Sequence, residues 1–375
     1  MKRKLIFIAL AGLVAVMAAA CSPAVATTQD SAPPEAQADE EASEDMAGAA
    51  IDKTYEQREG VEVIYLAGGC FWGTEQLMQS IPGVVNVTSG YANGTTDDPT
   101  YQEVISGETG HRETVRVEYK PDEISLDTIL FVYYSVIDPT IENQQGGDRG
   151  TQYQTGVYYT DDVSMATVWR ITDIVSARYE KFVVEIEPMT RFYDAEEYHQ
   201  DYLVKNLDGY CHIPDGEMMR ASMIVVDAGD YRRPSDQAIK EQLTNEQYRV
   251  TQEDGTEPAF ANEYWENHER GIYVDVVTGE PLFSSSKKFE SGTGWPSFYA
   301  TIDPNTLVIL SDKSLGMERL EVRSRAGNSH LGHLFLGENT APEGVRFCMN
   351  SASLKFVHVD EMEEMGYGYL LEHVE

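Results

Sequence analysis

The sequence predicts two folded bodies in series, an N-terminal α/β body of the two-layer α+β kind and a C-terminal, mostly β body. Three observations predict this. A chain of 375 residues, 42% hydrophobic, is long enough for two domains of ordinary size plus tails. From about residue 61 to 214, strand-like segments alternate with helical ones. From about 242 to 375 the segments become short, strand-like and punctuated by glycine. Residues 1–20 read as a signal peptide, 21–60 as a disordered acidic tether and 215–241 as a hinge or linker.

The N-terminus, "MKRKLIFIALAGLVAVMAAACSPA", places Lys2, Arg3 and Lys4 before an apolar run from Leu5 to about Ala20. The run is short for a stable membrane span, although a retained anchor is an alternative. It ends at Cys21, as in the cleavage site of bacterial lipoproteins, which makes Cys21 a candidate for lipidation. Ordinary cleavage after a small residue is the other route. Either implies an exported bacterial envelope protein, periplasmic or membrane-anchored, with secretion as the alternative. Cleavage removes three basic and no acidic residues, moving the net charge from -35 to about -38. So acidic a surface repels nucleic acid and anionic lipid. From Ser22 to about Gly60, Pro, Ala, Glu and Asp dominate and aromatics nearly vanish, the composition of a tether.

In the first body "VEVIYLAGGCFWGTEQLMQSIPGV" opens as a strand, turns at Gly68–Gly69 and enters a helix. Cys70 then falls in the first helical turn, where free amides and the helix dipole favour a thiolate. Gly69 and Gly73 leave room around the sulfur, and Phe71 and Trp72 supply an apolar wall. "ETVRVEYK" alternates as a strand, and "SLDTILFVYYSVI" has helical spacing with Ser125 as its cap. "DRGTQYQTGVYYT" puts Asp148 and Tyr153 in a loop entering a strand. An amphipathic helix ("TDDVSMATVWRITDIVSARYE") and a strand ("KFVVEIEPM") follow. Cys211 lies in a Gly- and Pro-flanked tail that is expected to be mobile.

The blocks "GCFWG", "PTYQEV", "GHRE", "DRGTQY" and "EEYHQDYL…GYCHI" resemble the A-type methionine sulfoxide reductases over essentially this whole body. The resemblance implies that Cys70 attacks the sulfoxide sulfur and that Phe71 and Trp72 hold the substrate methyl group. It places Tyr101, Glu113 and Tyr153 around the sulfoxide oxygen, gives Asp148 the ordering of water and neighbours, and makes Cys211 the resolving cysteine. The oxygen must gain a proton to leave, which requires a desolvated Glu113 with a raised pKa. On the residues alone, Glu113 reads as a solvated glutamate at a strand edge, and Tyr101 and Tyr153 as packing tyrosines. Condensation of a Cys70 sulfenic acid with Cys211 would give a disulfide for an external dithiol to reduce.

Between the bodies, "SMIVV" reads as a strand packed on either neighbour or as a linker contact, and Met218 and Met219 as packing residues. In the second body "SHLGHLF" spaces His330 and His333 three apart. A metal site is one reading, but no cysteine lies nearby and no third histidine lies within the motif. The segments "EQYRVTQEDGTEPAF", "EYWENHERGIYVD", "GWPSF", "SHLGHLF" and "RFCMNSASL" resemble the B-type methionine sulfoxide reductases over nearly all of this body. That resemblance implies Cys348 as nucleophile and Arg346 polarising its surroundings. His330 and His333 flank the sulfoxide oxygen, His333 being the proton donor. Trp295 forms the methyl pocket and Asn350 fixes the local network.

Two departures stand out. Many B-type relatives hold structural zinc on two Cys-x-x-Cys pairs, whereas the matching places here are Asp275 and Thr278, then Ser324 and Gly327, so no metal is expected. The place of a common resolving cysteine is Thr293, which forms no disulfide. A Cys348 sulfenic acid must then be reduced by an external thiol, by Cys211 or by an unlipidated Cys21, the first being preferred.

Together the resemblances imply a fusion that reduces methionine sulfoxide, free or in proteins, the S epimer in the first body and the R epimer in the second. No cofactor is implied beyond an external dithiol, and the expected partner is a thioredoxin-like envelope reductase. The main rival is a second body that only binds peptides, for which Thr293 is the foothold. A disulfide oxidoreductase is disfavoured because the four cysteines (21, 70, 211 and 348) include no Cys-x-x-Cys pair.

Overall fold

The computed structural model describes residues 52–313 and 318–374. The signal segment, Cys21 and most of the tether lie outside them.

The first body is a sheet with helices against one face. In chain order its elements are β1 (Glu62–Ala67), α1 (Phe71–Gln79), β2 (Val84–Ala92), α2 (Tyr101–Ile105), β3 (Arg112–Tyr119), α3 (Leu126–Val136), the short pair β4 (Gln144–Gln145) and β5 (Asp148–Arg149), β6 (Gly156–Tyr159), α4 (Asp162–Ser176), β7 (Glu185–Pro188), β8 (Phe192–Asp194) and α5 (Tyr202–Lys205). The six-stranded order is β7-β6-β1-β3-β2-β8, with β6 and β7 parallel. The period-two alternation of β1 makes both cores. Ile64 and Leu66 face the helices with Leu77, Ile129 and Val168, while Val63, Tyr65 and Ala67 pack on the opposite side with Tyr158 and Phe192. Ser125 caps α3 as expected, accepting from the Thr128 amide.

The tether expected to run to residue 60 is docked from Asp52 onward. Arg116 is buried in the face away from the helices and needs a counter-charge there. Asp52 supplies it at 2.6 Å and also accepts from the Tyr65 hydroxyl at 2.9 Å.

The segment expected as a hinge is a stitch between two cores. It holds α6 (Asp215–Ser222), α7 (Asp236–Gln242) and, leading on, α8 (Asn245–Gln252). Ala221 and Ala228 belong to the first core, Val226 and Tyr231 to a core of the second body. Asp227 accepts from the Ser125 amide (2.8 Å) and the Thr128 hydroxyl (2.9 Å) at the start of α3. Asp303 of the second body accepts from the amides of Val225 (2.8 Å) and Val226 (3.0 Å). "SMIVV" is therefore not a strand, because a carboxylate takes the amides that a ladder would need.

The second body is mostly β, as expected: β9 (Gly271–Asp275), β10 (Pro281–Ser284), β11 (Lys288–Phe289), β12 (Ser297–Phe298), β13 (Leu307–Asp312), β14 (Arg319–Ser324), β15 (His330–Leu336), β16 (Val345–Met349) and β17 (Leu354–His358). They form a three-stranded sheet, β10-β9-β17, and a six-stranded one, β11-β12-β16-β15-β14-β13. Tyr273, Phe283, Phe298, Val322, Leu331 and Met349 fill the core of this body.

The four positions at which the resemblance places zinc ligands, Asp275, Thr278, Ser324 and Gly327, converge here around one buried carboxylate. Asp275 accepts from the Ser324 hydroxyl (2.8 Å), the Thr278 hydroxyl (3.2 Å), the Ser329 hydroxyl (3.0 Å) and the Val277 amide (3.0 Å). A Cβ at Gly327 would come within 2.1 Å of its Oδ2, so this position must be glycine for the cluster to close. One carboxylate and three hydroxyls do not make a tetrahedral thiolate site. The cluster joins the same two loops by hydrogen bonds. Replacing Asp275→Ala leaves three buried donors and the half-buried Thr278 hydroxyl without their acceptor and should destabilise the second body by about 3 kcal/mol. Thermal unfolding followed against the Ser329→Ala variant, which removes one donor only and should cost about 1 kcal/mol, checks this.

Candidate active sites

In the first body, positive φ at Gly69 (+87°) turns the chain from β1 into α1 and leaves Cys70 at the N-cap. Its thiol is buried, 7% exposed. Burial is the largest influence on it and pushes its pKa up, the Glu113 charge adds to this, and the Trp72 amide opposes both. The expectation of a favoured thiolate is thus reversed in the resting site: one amide does not offset desolvation beside a carboxyl group.

Glu113 enters from β3, directly across the ladder from Tyr91, and is 1% exposed. Its Oε2 accepts from the Phe71 amide at 3.2 Å, while Oε1 has no partner among the described residues. Burial pushes its pKa up to about 8, with Asp148 adding to the rise and Phe71 and Tyr153 opposing it. The carboxyl group is therefore largely protonated at neutral pH. Tyr101, from the first turn of α2, and Tyr153, from a 3-10 turn before β6, converge on it. Burial and then the Glu113 charge raise both phenols, Tyr101 to about 12. Asp148, on β5, is raised by burial and lowered by His212 and Tyr210.

Cys211 is not on a mobile tail. It is half-buried, its Sγ donates to the Ile213 carbonyl at 3.0 Å, and a Cβ on Gly73 would lie 2.9 Å from it. Gly73 thus makes room for the Cys211 sulfur, one helical turn along α1 from Cys70. Both thiols are free. Phe71 is buried, whereas Trp72 is half-buried with its ring stacked on Tyr202 at 3.7 Å. Two histidines escaped the sequence reading. His199 accepts from the Trp72 indole (3.1 Å) and packs against Tyr101 (4.5 Å) and Phe71 (5.0 Å). His212 lies 3.0 Å from the Gly68 carbonyl. Each lies inside a quoted block, "EEYHQDYL" and "GYCHI", but nothing in the spacing says that it turns inward.

In the second body, Cys348 lies on β16 opposite Ser297 of β12 on one side and His333 of β15 on the other. Histidines three apart on a regular strand face opposite ways. Here a bulge leaves Leu331 without a register partner in β14, since Val322 pairs with Gly332 and Arg323 with His330. Both rings therefore share a face, 5.5 Å apart. Gly332 (φ +155°) is required, because a Cβ there would sit 2.1 Å from the Cys348 carbonyl oxygen.

His330 Nδ1 is 2.6 Å from Glu321, and His333 Nε2 is 3.0 Å from Asp312. Burial lowers the His333 pKa; Asp312 raises it, Arg319 and His330 lower it further. The imidazolium that a His333 proton donor requires is thus disfavoured at rest. Arg346 makes a two-pronged bond to Glu338 (2.6 and 2.8 Å) and lies over the Phe335 ring at 4.3 Å. Burial raises the Cys348 thiol, while Arg346 and the Thr293 hydroxyl lower it. His333, Trp295, Cys348, Asn350 and the unforeseen Arg319 line one pocket.

The sequence reading also missed Glu257. Its carboxylate accepts from the amides of Ser351 and Ala352 (the latter at 2.9 Å), its carbonyl accepts from the Trp295 indole (3.1 Å), and its amide donates to Asn350 Oδ1 (3.1 Å). One buried residue thus holds two walls of the Cys348 pocket. The cation candidate in this body is Asp254, Glu321 and His330. The Arg323 guanidinium already lies 2.7 Å from Asp254 and 2.6 Å from Glu321, so it supplies the positive charge there.

Residues 62–225 match the family model described as peptide methionine sulfoxide reductase, and residues 243–358 match the SelR domain model. Among solved structures, the chain is 37% identical to Mxr1 from Saccharomyces cerevisiae in reduced form, over 44% of this chain and 96% of that one (TM-score 0.41). It is 34% identical to methionine sulfoxide reductase A of Corynebacterium diphtheriae, over 42% and 84% (TM-score 0.37). A third match is Mxr1 from Saccharomyces cerevisiae in complex with Trx2, 28% identical over 40% and 92% (TM-score 0.30).

Replacing Glu257→Ala should leave two amides unsatisfied, cost roughly 1–3 kcal/mol, and loosen the Cys348 pocket without touching Cys70. Alkylation of each cysteine, followed by peptide mass spectrometry, should show a changed rate at Cys348 and the same rate at Cys70.

Proposed function

Because the chain belongs to the peptide methionine sulfoxide reductases, with an A-type domain over 62–225 and a B-type, SelR domain over 243–358, we propose that the two sites divide the epimers, S in the first body and R in the second. The observation that carries the reading is the buried Cys70–Glu113 pair. It offers a sulfur nucleophile and a carboxyl group still protonated at neutral pH in one dry pocket. Cys70 attacks the sulfoxide sulfur, Glu113 protonates the oxygen while Tyr101 and Tyr153 hold it by their hydroxyls, and as its bond to the substrate sulfur breaks the hydroxyl passes to Cys70 Sγ. The products are methionine and a Cys70 sulfenic acid. Cys211, packed over Gly73, condenses with it, releasing water and leaving a disulfide for an external dithiol to reduce. Phe71 and Trp72 hold the methyl group, and Asp148 orders the polar side of the pocket.

In the second body Cys348 attacks, with Arg346 favouring its thiolate. His333 is the proton donor, His330 its neighbour, and Trp295 and Asn350 the walls. Thr293 cannot resolve the sulfenic acid, so an external thiol does. The Trx2 complex of Mxr1 supports a thioredoxin-like reductant. Export, with Cys21 lipidated in an envelope protein, is part of the same proposal, and the intact mass of the mature protein tests it.

Incubation with each pure epimer and a dithiol tests the division. Cys70→Ser should lose S-epimer turnover and keep R, and Cys348→Ser should do the reverse. Undiminished consumption of both epimers by the double variant would overturn the reading. If the second body only binds peptides, the unmodified protein leaves the R epimer intact. Glu113→Gln should lower S-epimer turnover by roughly 10²–10⁴.

The pH profiles should also separate. Each donor works only when protonated. The high-pH limb of kcat/KM for the S epimer should fall through about pH 8, where Glu113 loses its proton. That for the R epimer should fall at lower pH, because His333 is held below the ordinary histidine value.

A further inference from the structure

We infer an oxyanion-binding site, for a phosphate or a carboxylate, in the cavity where α3, α4 and α6 of the first body meet β13 and Arg325 of the second. It is separate from both sulfur sites and does not depend on the function proposed for them. The cavity is about 200 Å³ and is lined on its polar side by Arg178, Arg220, Arg325 and Asn305, with no aspartate or glutamate in its wall. In a chain of net charge -35, three guanidinium groups around one void invert the prevailing field.

The arginines are incompletely answered by the protein. Arg178 reaches from the end of α4 and bonds only neutral groups, Asn328 Oδ1 at 2.9 Å and the Arg325 carbonyl at 2.7 Å. Its burial is the largest influence and disfavours its charge, as does the nearby Arg323 cation, while Tyr179 and Glu280 offset this only in part, a situation that a bound anion relieves. Arg325 is 1% exposed. Its Nε pairs with buried Glu280 at 2.7 Å and its Nη2 donates to the Val226 carbonyl, but its Nη1 has no partner among the described residues. Arg220 is half-buried, with only a loose pairing to Glu217 at 3.4 Å. Asn305 donates to the Arg220 carbonyl, fixing the edge of that wall. Planar guanidinium groups match the oxygens of a carboxylate or phosphate in two-pronged geometry. A buried donor left open is costly unless something fills it.

The ligand would touch both bodies and so hold them together. Because it would bind only the folded chain, it should raise the unfolding temperature in a saturable way. The full-length chain is titrated with inorganic phosphate and, separately, with acetate and citrate, at ionic strength fixed with chloride, and followed by thermal unfolding and calorimetry. The expected result is saturable stabilisation by at least one of these probes, with apparent affinity at least ~10-fold weaker in Arg178→Gln and in the less buried Arg220→Gln. Which probe binds tells phosphate from carboxylate. A response no larger than chloride alone produces, or full binding retained in both variants, would overturn the site. Should Arg178→Gln not fold, Arg220→Gln decides.

Discussion

Both folded bodies are arranged around the same constraint, a sulfur taken out of water. Desolvation penalises a thiolate, so a buried cysteine needs compensation before it can attack anything. The two bodies compensate differently. Around Cys70 the same dryness that raises the thiol also keeps Glu113 protonated, so that the nucleophile and acid of the proposed reaction are products of one environment. Around Cys348 the compensation is a cation: Arg346, anchored by Glu338 and laid over Phe335, lowers a thiol that burial has raised. The pockets therefore differ in sign. One is built to hold a proton, the other to hold a negative charge.

That difference is sustained by backbone geometry remote from the sulfur chemistry. Glu113 stays dry because β3 is an interior strand, flanked by β1 and β2. Three residues along the same strand, Arg116 is a buried cation that Asp52 folds back to meet at 2.6 Å, with Asp194 at 3.1 Å and Glu118 at 3.5 Å completing its counter-charge. In the second body, the bulge at Leu331 turns two histidines to one face, and the Asp275 cluster pins the loops that carry Ser324 and Ser329, just before β15 begins. A hydrogen-bonded carboxylate differs from a metal in being part of the chain, so these loops need no ion to close.

The sequence made much of this legible, and its failures have a physical pattern. The strand-turn-helix at Cys70, the cap at Ser125 and the β character of the second body follow from local periodicity and turn chemistry, and the structure has them. Cys70, Glu113, Tyr101, Tyr153 and Cys211 could be brought together only by family resemblance, since they come from separate elements. What resisted was everything decided by long-range partners. "SMIVV" looks like a strand, yet Asp303 takes its amides. Cys211, between Gly and Pro, looks mobile until Gly73 of α1 is placed beneath it. His330 and His333 look opposed until a bulge intervenes, and Glu257 is one acid among many in an acidic chain. The helix terminus favours a thiolate at Cys70, and burial outweighs it.

The two sulfurs also differ in how an outside reductant can reach them, which bears on the missing resolving cysteine. Cys70 is 7% exposed and overlaid by the segment that carries Cys211 and His212, so a bulky thiol has no direct approach. A second, half-buried cysteine would move the oxidised state outward. Cys348 is only partly buried and lines an open pocket, and beside it stands a run of hydroxyls, Thr293 to Ser291 and Ser297 to Ser291, each 2.8 Å apart. A hydroxyl in that place can hydrogen-bond a sulfenic acid but cannot attack it, so the oxidised sulfur stays where it formed. In the proposed reaction an internal relay would be needed where the nucleophile is covered and dispensable where it is not. The opening of the Cys348 pocket makes Thr293 compatible with turnover in that proposed reaction, and the two bodies would draw on one reductant by different routes.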